Sequence, residues 1–135
     1  MVYHLYTDGS ASGNPQQRAP AGWAFILIGS YGVLAAQSGR MKATAAEAEA
    51  EAVRRGMDAA ARWMPERVAI LTDCIPWPVA ETISDIPVEW RQVANRRKPL
   101  HHIACHCEAR RRRVGSTKRT AFIADGRKYF FAQPH

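Results

Sequence analysis

Cysteine is scarce in this chain of 135 residues: there are three, an odd number that fits reduced thiols better than a disulfide framework. No C-x-x-C pair exists. Cys105, His106 and Cys107, with His101 and His102 close by, fall on a segment that reads as a strand, where neighbouring side chains point to opposite faces. A structural zinc site is therefore not expected. No apolar run approaches the roughly 20 residues that span a bilayer, so no membrane partner is expected. The start, MVYHLYTDGS, has neither the basic residues nor the apolar stretch of a secretion signal, and a cytoplasmic protein is expected. Internal repeats and long linkers are also missing, which leaves a single domain over residues 1–135 and a monomer as the expected state. Aspartate is rare as well, with five in all: Asp8, Asp58, Asp73, Asp85 and Asp125.

What is present is charge, unevenly spread. Residues 1–95 hold 8 Lys/Arg against 10 Asp/Glu, whereas residues 96–128 hold 11 against Glu108 and Asp125. The net charge is +7, and 15 of the 19 basic residues are Arg, whose planar fork matches phosphate oxygens. An acidic front and a basic C-terminal third suit a protein that holds a polyanion on one flank and a cation elsewhere.

Apolar residues make up 47% of the chain, enough for a folded core. Residues 2–7 read as a strand ended by the turn-rich DGSASGNP. Residues 21–28 and 33–36 read as a hairpin across Gly29-Ser30-Tyr31-Gly32. Beyond Thr44, a good N-cap, Ala46, Ala50, Val53, Met57, Ala61 and Met64 recur at helical steps. Residues 68–72 (VAILT) resemble a buried parallel strand. Short helices are expected over 79–84 and 87–94, a strand over 100–105 and a last helix over 117–131. The class is α/β, in the order β-β-β-α-β-α-β-α.

Asp8 and Asp73 each follow an apolar strand. Ionised carboxylates at the ends of buried strands are expensive unless paired or metal-bound, and parallel neighbours would bring these two side by side. A divalent cation relieves the repulsion; capping of a following turn is the alternative for each alone. A third acid comes from the helix. Glu51 points outward, and periodicity does not choose between Glu47 and Glu49.

The stretch TDGSASGNP resembles the opening motif of type 1 ribonucleases H. The helix resembles that family's pattern of a Thr five residues before a Glu, then Ala at +3 and small and apolar residues at +7 and +8. Glu49 meets it, with Thr44, Ala52, Gly56 and Met57. LTDC at 71–74 resembles the family's strand-terminal TDS. His106 in IACHC resembles its flexible-loop His, and Ala124-Asp125 the AD pair of its C-terminal helix.

The resemblance implies a five-stranded mixed sheet, three antiparallel N-terminal strands followed by parallel ones, with helices on both faces. It implies an endonuclease that hydrolyses the RNA strand of RNA–DNA hybrids with two Mg²⁺ ions, or Mn²⁺. In that allotment Asp8 bridges both ions, Glu49 and Asp73 hold one, Asp125 holds the other, and His106 assists proton traffic or product release. Gly9, Ser10, Asn14 and Thr44 would bind substrate, with Arg110 and Arg111 neutralising phosphates. Two departures stand out. Ala45 and Ala46 replace polar residues that follow the Thr, which leaves open a DNA- or structure-directed nuclease, or a non-catalytic hybrid- or RNA-binding module. Fewer than 30 residues separate Asp73 from Leu100, too few for the basic protrusion of many bacterial members. Arg91, Arg96, Arg97 and Lys98 would replace part of it.

Overall fold

Tyr3, Leu5 and Thr7 alternate with His4, Tyr6 and Asp8 along β1 (Val2–Ala11), so the central strand offers one row of side chains to each face of a sheet. A computed structural model describes residues 1–14, 16–76, 85–94 and 99–134. β1 pairs antiparallel with β2 (Ala19–Gly29), which pairs antiparallel with β3 (Gly32–Ala43). On its other side β1 runs parallel to β4 (Arg67–Thr72), and β4 runs parallel to β5 (Val88–Gln92). The order is β3-β2-β1-β4-β5, the mixed five-stranded sheet expected.

One face is covered by α1 (Ala45–Ala61), the other by α2 (Leu100–Arg113). Leu5, Trp23, Phe25, Leu27, Val68 and Ile70 meet Val53 and Met57 under α1. Ala24, Ile26 and Ala36 meet Cys105 and Ala109 under α2. Both helices approach very closely because small residues line the seams. A Cβ on Gly56 would lie 2.5 Å from a Leu5 methyl, and one on Gly22 would lie 2.0 Å from the Ala109 carbonyl oxygen.

Three expectations are corrected. Residues 88–92 form a strand and not a helix, since Val88 and Trp90 turn to the core while Glu89 and Arg91 pair on the other side. Residues 100–113 form a helix and not a strand: His102, Cys105, Ala109 and Arg112 are buried at steps of three and four, while Leu100 and Ile103 are exposed. Residues 117–131 hold a hairpin, β6 (Ala121–Ala124) and β7 (Arg127–Phe130), in place of a helix. Its turn is Asp125-Gly126, both at positive φ (51° and 72°). Beyond it Ala132 exchanges backbone hydrogen bonds with Ala36 and Ser38, covering the open edge of β3. The short helix expected over 79–84 lies outside the described residues, as do Arg96, Arg97 and Lys98.

Thr44 caps α1 as expected. The Glu47 N–H donates to the Thr44 hydroxyl at 3.2 Å and the Thr44 N–H donates back to the Glu47 carboxylate at 3.1 Å. Arg18 adds a bidentate pair, 3.0 Å and 2.5 Å, across from the loop that follows β1. The Arg18 guanidinium first, then the Thr44 N–H, lower the Glu47 carboxyl from the usual 4.5 to about 2. A depressed folded value means the bond supports the fold above pH 4.5 and is lost as pH falls through about 2. A carboxyl-carbon NMR titration should put the Glu47 midpoint near 2, and a midpoint at 4.5 would contradict it.

Candidate active site

Gly9 sits where β1 passes under the first turns of α1, and it has no room for a side chain. A Cβ there would lie 2.6 Å from the Glu49 nitrogen and 2.7 Å from the Ala48 carbonyl carbon. That close approach sets Glu49 against the end of β1. The Gly9 N–H donates to the Glu49 carboxylate at 3.1 Å and to the Asp8 carboxylate at 3.0 Å, so one backbone group holds both acids. Thr72, the last residue of β4, points its hydroxyl at the other Glu49 oxygen, 3.5 Å away. Asp73 follows it, its backbone carbonyl accepting from Gln92 of the neighbouring strand at 3.3 Å. Parallel pairing of β1 and β4 thus brings Asp8 and Asp73 together, as the pattern predicts. Of the three helix glutamates, Glu49 is the one at the site. Glu47 is engaged in the cap and Glu51 pairs with Arg54 and Arg55 on the surface.

Glu49 is 6% exposed, and burial pushes its carboxyl well above the ordinary range. The Asp8 and Asp73 carboxylates push it the same way, and the Gly9 N–H opposes them. Three carboxylates in such a place suit a cation.

The helix α2 completes the site. His106 and His102 are one turn apart and face β1. The His106 Nδ1 lies 2.7 Å from an Asp8 oxygen, and His106 sits on a packed helix and not in the loop that the resemblance implied. His102 is fully buried, and one of its ring nitrogens lies within 4.8 Å of carboxylate oxygens of both Asp8 and Asp73. Sequence reasoning missed His102 because residues 100–105 read as a strand; the four-residue step from 102 to 106 was the available sign.

Asp125 is not at the cluster. It turns the β6–β7 hairpin, and its carboxylate lies 3.7 Å from the Cβ position of Gly32, in the β2–β3 turn. Asp8 pairs with Ala24, and Gly32 with Gly29, so five residues of strand, about 16 Å, separate the two ends. The hairpin, formed in place of the expected helix, sets Asp125 beside the β2–β3 turn, at the other end of the strands from Asp8.

The flanks are basic. Arg110 and Arg111 are exposed at the end of α2. Arg113 donates to the Ser10 hydroxyl at 3.1 Å, two residues beyond Asp8, and Arg40 reaches the Arg113 carbonyl at 3.5 Å. Asn14 is exposed in the loop after β1, and Ala45 and Ala46 are exposed at the start of α1. Arg112 departs from the run. At 2% exposure it pairs with Glu108 and donates to the Ser116 and Lys118 carbonyls, each at 2.5 Å.

The RNase H family profile matches residues 2–109, from the start of β1 into the third turn of α2, and ends before Asp125. No curated protein sequence matches the chain. Among solved structures, the N-terminal RNase H domain of a Mycobacterium tuberculosis protein, fused to maltose-binding protein, is 19% identical with a TM-score of 0.68; the match covers 84% of this chain and 94% of that one. RNase H1 of the halophilic archaeon Halobacterium salinarum is 18% identical with a TM-score of 0.65, over 86% and 100% of the two chains. LC11-RNase H1, solved in complex with an RNA/DNA hybrid, is 13% identical with a TM-score of 0.61, over 80% and 94%.

Proposed function

The chain belongs to the ribonuclease H family and is an enzyme of that kind, and from that premise we propose that it hydrolyses the RNA strand of RNA–DNA hybrids at Asp8, Glu49 and Asp73. The observation that carries the reading is the convergence of these three acids around one glycine N–H, with Glu49 too buried to ionise easily without a cation. The family depends on divalent metal, and an oxygen-rich donor set at the ends of two parallel strands fits it. Two Mg²⁺ or Mn²⁺ ions supply, when bound, activation of a water and stabilisation of the charge that develops on the scissile phosphate.

The protein's own residues provide the rest. The Gly9 N–H fixes the orientation of Asp8 and Glu49 before substrate arrives, so little reorganisation is needed during reaction. Asp8 and Asp73 would hold the metal at strand ends that the sheet keeps rigid. His106, in contact with Asp8 and part-exposed, serves as a proton carrier at the mouth of the site. Gly9, Ser10, Asn14 and Thr44 line the approach of the substrate strand. Arg110 and Arg111, joined by Arg113 and Arg40, neutralise its phosphates. The exposed methyl groups of Ala45 and Ala46 offer no polar side chain to a ribose hydroxyl, so discrimination of RNA from DNA rests on backbone groups and is looser.

The test is direct. Labelled RNA–DNA hybrid, duplex DNA and single strands are incubated with the protein, with and without Mg²⁺ or Mn²⁺. Metal-dependent cuts confined to the RNA of the hybrid are expected. Cuts in DNA would reassign the substrate, and tight hybrid binding without any cleavage would mark a binding module.

A further inference from the structure

We infer that His102 is a metal ligand of this site, brought to the acids by α2, and that it turns the site from Mg²⁺ towards Mn²⁺. The inference deepens the reading of the site as a metal-dependent nuclease centre and rests on it.

The first ground is position. α2 is the helix packed across β1 and β2 on the face to which Asp8 points, so its inward residues are what that face of the cluster meets. His102 is fully buried there, a ring nitrogen within 4.8 Å of both Asp8 and Asp73 oxygens. Ligand atoms at that spacing can share one cation after small adjustments of rotamer. The second ground is the lack of any acid on α2 to do the same. Its sequence is LHHIACHCEARRRR, and its one acidic residue, Glu108, is committed elsewhere. One Glu108 oxygen accepts from Ser38 at 2.6 Å and from Arg112 at 3.1 Å and 3.0 Å, and the other accepts from Thr120. The third is the removal of Asp125 to the far end of the sheet, which leaves three carboxylates and an imidazole.

The donor set decides the metal. Mg²⁺ takes oxygen ligands almost exclusively and gives up its waters reluctantly, whereas an imidazole nitrogen favours first-row transition ions over it. Replacing a fourth carboxylate by a neutral ring also removes one negative charge. That weakens a site for a hard ion more than one for an ion that gains from the nitrogen. Mn²⁺ is the transition ion that still accepts a largely oxygen shell, so it suits three carboxylates and one imidazole.

Pulsed EPR of Mn²⁺ bound to the wild-type protein, labelled uniformly with ¹⁴N or ¹⁵N, should show a directly coordinated nitrogen. The signal should persist in His106→Asn and vanish in His102→Asn. In parallel, Mg²⁺ displaces Mn²⁺ from each protein, with free Mn²⁺ read from its EPR amplitude. Wild type should prefer Mn²⁺ by about tenfold or more, and His102→Asp should narrow that preference by on the order of tenfold, the size of effect that ligand-sphere changes produce. Bound Mn²⁺ with only oxygen around it, or a nitrogen signal lost with His106 and kept without His102, overturns the inference while the nuclease reading stands. If wild type binds Mn²⁺ no better than Asp8→Asn does, both fail together. The nitrogen measurement on unaltered protein decides the point even where a substitution at this buried position disturbs folding.

Discussion

Asp8→Asn should lower strand cleavage by on the order of a thousandfold while leaving hybrid affinity within a few-fold of wild type, a loss comparable to removing one preorganised electrostatic group from other hydrolytic sites. Asparagine keeps the shape of the side chain, and its oxygen can still accept from the Gly9 N–H. What it removes is a full negative charge between Glu49, Asp73 and His102. A cation then loses a principal ligand, and in a water-poor setting that loss is large. Affinity for the hybrid should be spared because Arg40, Arg110, Arg111 and Arg113, the residues proposed to meet its phosphates, do not bear on Asp8 directly. Relief of repulsion with Glu49 should also raise the melting temperature of metal-free protein. Single-turnover rates at saturating metal, hybrid binding and thermal melts test all three. A rate near wild type would remove Asp8 from the mechanism.

Glu108→Ala should destabilise the protein by about 3–5 kcal/mol, the usual result of stripping one partner from a buried ion pair. The substitution leaves the Arg112 guanidinium, 2% exposed, without its carboxylate, and takes an acceptor from Ser38 and Thr120 at once. The consequence is more than local. Ser38 lies on β3, Thr120 leads into the β6–β7 hairpin and Arg112 belongs to α2, so Glu108 ties the helix that carries His102 and His106 to the sheet edge and the C-terminal hairpin. Urea unfolding should therefore show the loss in stability, and amide exchange should show the hairpin opening first. Replacing the pair together, Glu108→Leu with Arg112→Met, should recover much of it, since no lone charge is then buried. A single-substitution loss below about 1 kcal/mol would show that water reaches the pair. Arg110 and Arg111, which lie between Glu108 and Arg112 in the sequence and are exposed, should tolerate Ala with little change in stability.

The first half of the chain was legible because its local signals agree with one another. Alternation marks β1, helical steps mark α1, Thr44 caps it, and Gly56 stands where Leu5 needs room. The second half misled because its signals conflict. In α2 the apolar Leu100 and Ile103 face solvent, while His102, Glu108 and Arg112 are buried in mutual contact or against the acids, so hydrophobic periodicity pointed away from the true inner face. Asp125-Gly126 between Phe122, Ala124 and Tyr129 is a hairpin signature that the apolar count of a helix concealed. Val88 and Trp90 alternating with Glu89 and Arg91 is likewise a strand pattern, short enough to be mistaken for part of a helix turn.

The sequence by itself determined the family, the sheet of antiparallel and parallel strands, and three acids, because each depends on residues within one element and on spacing that any chain of this kind must keep. Tertiary structure alone decided what α2 brings to those acids and where Asp125 goes. Which side chain of a polar helix turns inward is set by the carboxylates, hydroxyls and glycine seams it meets on other elements, and no reading of that helix in isolation contains them.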